Sequence, residues 1–364
     1  MSQIEVTFHG GGSEVGNIAL HLKDESNTEL LIDYGMAPST PPKYPSIVGP
    51  IKNAILTHVH LDHIALAPWL ASTWNTTLYC SSFTAKMCEM MWRDTHKVSK
   101  AEKYPLIWDL HDLDEGLCML KPTAFNTWVN TGNWRWRLLN AGHIAGAAMV
   151  EIDMKHTKVL VTGDYDTRSS PTTFGAKPIE TDIIFTEGTY GGKNHESREK
   201  IEDQFLQSIE NVVSRGGKAL IAAFAMGRTQ DILSILEKSS MNFEIHMDGM
   251  GRKVTEKMIE HKDGIRNIDH LSKAFNKVRK VSSKSDRKKA LHRANVIIAT
   301  SGMLNGGPIL WYLNRLKNDP LSCIFLTGYQ AKNTGGHQLL TDRTVPIWGN
   351  SIFINCEIEQ FGLS

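Results

Sequence analysis

The sequence predicts an α/β protein in two parts: a strand-rich first part that carries a metal site, and a parallel-sheet second part. Three observations predict this. Several short apolar runs before Gly188 end on a histidine or a carboxylate, and one of them leads into a dense cluster of ligand-type residues. Beyond Gly188 strand and helix patterns alternate, as a parallel sheet requires.

Taken in order, Ile4 to Phe8, Ile18 to Leu22, Leu30 to Asp33, Ala54 to Leu56 and Thr77 to Tyr79 read as strands separated by turn-rich loops. The glycine-rich Gly10 to Gly16 lacks G-x-G-x-x-G spacing and precedes a strand, so it reads as a tight turn rather than a nucleotide loop. Ser82 to Ser99 reads as a helix with Met87, Met90 and Met91 as core filling. In Trp134-Arg135-Trp136-Arg137-Leu138 apolar and basic residues alternate, so one face is buried and the arginines face water.

The stretch Thr57-His58-Val59-His60-Leu61-Asp62-His63 follows the apolar run Ala54 to Leu56 and carries four ligand-type side chains within six residues. Imidazole with carboxylate suits zinc, and manganese or iron less well. A loop leaving a strand can aim such side chains at one point. The spacing differs from that of a helical zinc site, where two histidines stand four apart. Asp33, His143, Asp164 and Glu187 each end a further apolar run. Any one of them alone reads as structural, and Asp33 reads equally well as a turn cap. Together with the motif they make five strand ends along one rim, where α/β sites assemble.

After Glu187 helices are expected at Ser197 to Ser214, Arg228 to Lys238, Arg252 to His261 and Pro308 to Lys317. Strands are expected at Lys218 to Phe224, Phe243 to Met247, Val296 to Thr300 and Cys323 to Thr327. This places a first domain at 1–187, a parallel-sheet domain at 188–344, and a strand-like return to the first domain at 345–364. Ten Lys or Arg residues from Arg266 to Arg293, against Asp269 and Asp286, read either as a solvated surface or as a phosphate-tracking patch.

Composition bounds the function. The 364 residues, 41% hydrophobic and 22% charged, fit an ordinary globular protein. A net charge of +1 means that any polyanion must be met by a local patch. The five cysteines show no CxxC spacing and read as free thiols of a reducing compartment. Met1 to Val6 enters a strand directly, without a signal peptide, and no apolar run approaches a membrane span; a soluble, cytoplasmic protein is expected.

These residues resemble the β-CASP nucleases of the metallo-β-lactamase superfamily, and most of all the archaeal homologues of the cleavage and polyadenylation specificity factor endonuclease, with ribonuclease J as a relative. His58 to His63 matches the superfamily signature, and Asp33, His143 and Asp164 fill its other slots. Glu187-Gly188-Thr189-Tyr190-Gly191 is similar to the first β-CASP motif. Phe224 to Arg228, Thr300 to Pro308 and Thr327-Gly328-Tyr329-Gln330 resemble further family segments. The resemblance implies a metallo-β-lactamase αββα sandwich with an inserted β-CASP domain. It also implies a zinc-dependent ribonuclease that hydrolyses single-stranded RNA with a metal-activated hydroxide.

On the matching positions, the resemblance implies two Zn2+ ions. His58, His60 and His143 would hold one, Asp62 and His63 the other, and Asp164 would bridge them. Asp33 would orient a ligand histidine, and Glu187 would support a general-acid histidine. Arg228 and Ser301, with His195 and Arg198, would contact substrate phosphates. A homodimer is implied as well. Gly188 stands where serine is usual, and Ala65 where glycine is common. The chain reaches Glu359 to Ser364 where the family continues into a Ser-Gly/Ala-His-x-Asp motif, so a truncated form of a longer protein, with an incomplete second zinc site, is expected. Other readings consistent with the residues are a catalytically impaired RNA-binding subunit, a DNA-processing enzyme and a small-substrate metallo-hydrolase.

Overall fold

Six strands open the chain: β1 (Ile4–Gly10), β2 (Ala19–Asp24), β3 (Glu29–Ile32), β4 (Asn53–Ile55), β5 (Thr77–Cys80) and β6 (Leu120–Pro122). They pair in that order, antiparallel from β1 to β3 and parallel from β3 to β6. The structure is a computed structural model that describes residues 4–37, 39 and 41–363; Met1 to Gln3 and Ser364, named above at the two ends, lie outside the described residues.

Five further strands form a second sheet, in the order β11-β10-β9-β8-β7: β7 (Val129–Thr131), β8 (Trp134–Asn140), β9 (Ala148–Asp153), β10 (Lys158–Val161) and β11 (Ile183–Phe185). The two sheets share one core. Leu20, Leu22, Leu30, Ile32 and Ile55 from the first pack with Trp134, Trp136, Leu138, Val150 and Ile152 from the second. Tyr79 and Trp136 meet edge to face across it, with ring centroids 5.0 Å apart. Alternation in β8 does what its sequence implies. Trp134, Trp136 and Leu138 are buried, while the Arg135 and Arg137 guanidiniums lie 4.6 Å from the Trp128 ring centre. Leu31, Ala54 and Leu78, on the alternate positions of the first sheet, are buried too. The helices Ala67–Trp74, Ser82–Glu102 and Leu110–Cys118 belong to this unit. The helix Ser82–Glu102 is capped by Ser81, whose side chain accepts from the Thr84 N–H.

The second unit is a parallel sheet in the order β14-β13-β15-β12-β16-β19. Its strands are β12 (Ala219–Ala222), β13 (Ile245–Asp248), β14 (Arg279–Val281), β15 (Val296–Ala299), β16 (Cys323–Leu326) and β19 (Glu357–Gln360), with β17 (Thr344–Ile347) and β18 (Asn350–Phe353) forming a separate hairpin. Unbroken apolar runs such as Val296-Ile297-Ile298-Ala299 belong to strands covered on both faces. Leu220, Ile297 and Ile324 pack with Ile309 and Leu313 of the helix Pro308–Leu316. The Phe325 ring lies 5.8 Å from that of Phe205, on the helix Arg198–Ser214.

The chain divides into residues 1–169 with 174–191, and residues 170–173 with 192–364. The expected return of 345–364 to the first domain is therefore corrected. β19 extends the second unit's sheet beside β16, and the Phe361 ring packs 5.3 Å from Phe205. Ser170 and Thr172 belong with the second unit because their hydroxyls donate to buried Asp231 at 2.9 and 2.7 Å.

Candidate metal centre

Asp62 and His63 sit on a single helical turn, Leu61–Ile64, rather than on an open loop. The backbone N–H groups of His63 and Ile64 donate to His60 O at 3.0 and 3.1 Å and close that turn. The segment that follows β3 holds it from the other side: Tyr34 N donates to His63 O and Met36 N to Leu61 O. Gly35 is required here, because a Cβ would lie 1.8 Å from Asp62 O.

Four ligand atoms from three segments converge. His58 Nε2 lies 3.0 Å from His60 Nδ1, and His143 Nε2 lies 3.2 Å from the same atom. Asp164 Oδ2 is 3.8 Å from His58 Nε2 and 3.6 Å from His143 Nε2. All four atoms fall within 4.8 Å of one another. Ligands at tetrahedral corners about 2.1 Å from a zinc stand about 3.4 Å apart, so this donor set fits such an ion.

The other oxygen of the same carboxylate faces a second group. Asp164 Oδ1 is 3.3 Å from His63 Nε2, and Asp62 Oδ2 is 3.8 Å from that nitrogen. His63 Nδ1 lies 2.6 Å from Asp33 Oδ2. Asp33 has φ +61 and stands just past the end of β3. It also accepts the Thr57 N–H on Oδ1 and the Thr57 hydroxyl on Oδ2, both at 2.7 Å. A carboxylate can only accept, so it keeps the His63 proton on Nδ1 and leaves Nε2 facing Asp62 and Asp164. His58 is fully buried. Burial, with His63 next to it, pushes its imidazole well below the ordinary histidine value, which keeps it in the neutral, metal-ligating form. Burial also acts to lower His63, but Asp164, Asp33 and Asp62 together outweigh it and hold that imidazole well above its usual value. Burial raises Asp62 to about 6. Asp164 is held well below the carboxylate range because His63, His143 and His58 overcome its burial. The position between Asp62, His63 and Asp164 thus favours a positive charge, whether proton or metal.

Thr57 was not singled out by the sequence. It links the two groups through Asp33, and its Oγ1 lies 3.2 Å from His58 Nδ1. Its one sequence signal is a hydroxyl residue directly ahead of the first histidine.

Comparison with known proteins decides the family. Residues 22–186 match the metallo-beta-lactamase superfamily and residues 229–339 match the Beta-Casp domain. A probable RNase of Methanocaldococcus jannaschii is 30% identical over 99% of this chain and 87% of its own. An RNase of Saccharolobus solfataricus is 31% identical over 91% of this chain and 68% of its own. The chain belongs to the β-CASP branch of the metallo-β-lactamase superfamily. A crystal structure of a protein of unknown function from Enterococcus faecalis V583 shares the fold, with a TM-score of 0.60 at 12% identity, covering 100% of this chain and 88% of that one.

In β-CASP terms, the ligand residues all lie in the metallo-β-lactamase unit. Glu187 lies in that unit too, just past β11. It is not among the converging ligands; its Oε2 accepts the Thr189 N–H at 3.0 Å. The β-CASP unit gathers its own sequence motifs at one edge. Arg228 follows β12 and Ser301 follows β15, and Ala222 and Ala299 at the ends of these strands are paired neighbours. Gln330 Nε2 donates to Gly302 O at 3.2 Å and the Thr327 hydroxyl donates to Ala222 O at 2.8 Å, joining the third segment. His195 is exposed, in the loop that leads to the helix Arg198–Ser214.

Arg198 is not placed as expected. It is buried, and its guanidinium donates to Glu202 at 2.9 Å, Asp231 at 2.9 Å and Leu363 O at 2.7 Å. It is an internal strut of the β-CASP unit rather than an open phosphate contact, because two buried carboxylates claim its charge.

Proposed function

We propose that this metal-dependent nuclease is a zinc ribonuclease that hydrolyses phosphodiester bonds of single-stranded RNA. The observation that carries the reading is the split carboxylate of Asp164, with one oxygen toward His58 and His143 and the other toward His63. Three imidazole nitrogens and a carboxylate oxygen at tetrahedral spacing favour zinc over harder cations. The RNase names of the relatives support RNA as the substrate.

His58, His60 and His143 would hold one zinc, Asp62 and His63 the other, with Asp164 between them. A bound metal pair supplies Lewis acidity toward the phosphoryl group and an activated water at neutral pH. Asp33 holds the Nδ1 proton of His63 and so fixes the ring that presents Nε2. Burial of His58 and His63 keeps bulk water from competing for these side chains. Arg228 and Ser301 are the phosphate contacts of this reading, together with His195 in the loop before the helix Arg198–Ser214, and Glu187 supports proton delivery.

Free cysteines, four of the five buried, are compatible with a reducing compartment. Among the described residues no helix is long and apolar enough to cross a membrane. A cytoplasmic location and a homodimer complete the proposal; exposed Phe8, Ile183 and Ile184 on β1 and β11 offer apolar surface for the latter.

The test is cleavage of end-labelled single-stranded RNA by metal-loaded protein. Cleavage that stops in Asp164→Asn and His143→Ala supports the proposal. RNA left intact by protein of full metal content, or equal cutting by both variants, would sink it.

A further inference from the structure

The basic run from Arg266 to Arg293 resolves into two populations. Six of its ten cations are engaged within the β-CASP unit. Lys273 and Lys277 approach Glu237 at 3.7 and 2.6 Å. Lys280 pairs with Glu256 at 2.9 Å, Arg287 with Asp248 at 2.6 Å and Lys289 with Asp286 at 3.8 Å. Arg266 donates to Ser170 O at 2.6 Å. Arg279, Lys284, Lys288 and Arg293 remain, exposed and without an ion pair among the described residues.

These four are clustered by the fold. Lys284 and Lys288 stand one turn apart on the helix Lys284–Arg293, and Arg293 ends it. Arg279 begins β14, the edge strand of the sheet. Arg279 and Arg293 line a cleft of about 340 Å³ with Lys280, Lys289, His246 and the two acids Glu244 and Asp286. Both acids are already engaged: Glu244 Oε1 is 2.9 Å from His246 Nε2, and the Asp286 carboxylate accepts from the Ser282 N–H and hydroxyl and pairs with Lys289. The cleft opens at the amino ends of β13 and β14, whereas Arg228 and Ser301 lie past the carboxyl ends of β12 and β15.

We infer that the helix Lys284–Arg293 and the cleft beside β14 form a second nucleic-acid site, which holds the phosphate backbone of a single strand outside the segment being cut. The inference rests on the proposed nuclease reading for its substrate. A chain with a net charge of +1 has no general attraction for polyanions, so four cations without an ion pair on one edge, with Glu244 as the acid that Arg279 and Arg293 both influence, are a local affinity for phosphates. No exposed aromatic lines the cleft, so the site reads charge rather than base, and DNA of equal length binds it as well as RNA.

The experiment compares wild type with a charge-reversed protein carrying Arg279→Glu, Lys288→Glu and Arg293→Glu. It also uses a charge-preserving protein with Arg279→Lys, Lys288→Arg and Arg293→Lys. Binding of fluorescein-labelled phosphorothioate oligouridines of about 30 and about 5 nucleotides is followed by anisotropy across a salt series. Turnover of bis(p-nitrophenyl) phosphate reports the metal centre separately. The charge-reversed protein is expected to bind the long strand about 10- to 100-fold more weakly near ~0.1 M salt, with a log K against log salt slope shallower by about 2. Its affinity for the short strand and its diester turnover stay at wild-type level, and the charge-preserving protein behaves as wild type. Unchanged long-strand affinity and slope would overturn the inference, even if binding to an acidic protein were lost. So would equal weakening in the charge-preserving protein, or a strong preference for RNA over DNA that disappears with the three charges. A wild-type protein that binds the long strand through these residues yet cuts nothing would refute the nuclease reading and leave this site standing.

Discussion

Asp33 Oδ2 lies 2.6 Å from Nδ1 of His63, and both side chains are buried. The pair makes a prediction about metal rather than about fold alone. Asp33→Asn can turn an amide N–H toward Nδ1 and so favours the wrong His63 tautomer. Metal affinity of the His63 group should fall about 10- to 100-fold, while the group of His58, His60 and His143 keeps its ion. Metal content per chain after dialysis, read by mass spectrometry, checks this. Loss of both ions together would show that Asp33 acts on the fold instead.

Metal loading should depend on pH with a definite sign. Asp62 is pushed up to about 6 by burial, so below that value a proton competes with metal for its carboxylate. The raised His63 also holds a proton there, so affinity at the Asp62 and His63 group should weaken by about tenfold per pH unit below the His63 value and by about a hundredfold per unit below 6. In metal-free protein the raised Asp62 makes ionisation unfavourable, so that carboxyl gains stability as pH falls from about 6 toward the ordinary carboxylate range. The raised His63 contributes stability that is complete below the ordinary histidine value and is lost as pH rises through its own higher one. Asp164 is depressed, and its contribution disappears only when pH falls through its low value. The depressed His58 acts in the opposite sense, losing stability as pH falls below the ordinary histidine value, so His63 decides the sign only above it. Chemical denaturation of stripped protein should therefore show greater stability at about pH 7 than at about pH 9. The reverse order would contradict the site's electrostatics.

Arg198→Ala should act on stability. It leaves Glu202 and Asp231 buried without their cation, at a cost of about 3–5 kcal/mol. RNA affinity of the fraction that folds should stay near wild type. A stable Arg198→Ala protein with weakened RNA binding would return this residue to the substrate path.

Gly35→Ala places a methyl against Asp62 O, which backbone cannot vacate cheaply. Destabilisation of about 1–3 kcal/mol and reduced metal content should appear together, because the displaced segment carries Asp62 and His63. Thermal melts with and without added zinc measure both. Wild-type melting and metal content would show that the turn tolerates the shift.

How legible the site was in the sequence follows from what local pattern encodes. His58 to His63 stands out because ligand-type residues are dense there, and Asp33, His143 and Asp164 because each ends an apolar run. The one-turn helix at Leu61–Ile64 is too short to show a period, so it reads as loop. Thr57 matters through its contacts with Asp33, which stands past the end of another strand, and with the His58 ring. Arg198 looks like any helix-start arginine; its partner Asp231 and the carbonyl of Leu363 are brought to it by tertiary packing. β19 failed for the same reason. Glu357-Ile358-Glu359-Gln360 forms a strand with two half-buried residues, Ile358 and Glu359, but nothing local says which sheet it joins. In the basic run, the sequence shows ten cations and not which carboxylates answer them.

The most direct test of a split metal centre in a nuclease is one protein measured two ways: zinc per chain and cleavage of single-stranded RNA, for wild type and Asp164→Asn. Wild type should bind zinc and cut RNA, lose both on chelation and regain both on adding zinc back. Asp164→Asn should lose zinc from both groups and cut at least ~10²-fold more slowly, since this carboxylate serves both. An Asp164→Asn protein with full zinc and wild-type cleavage would contradict it.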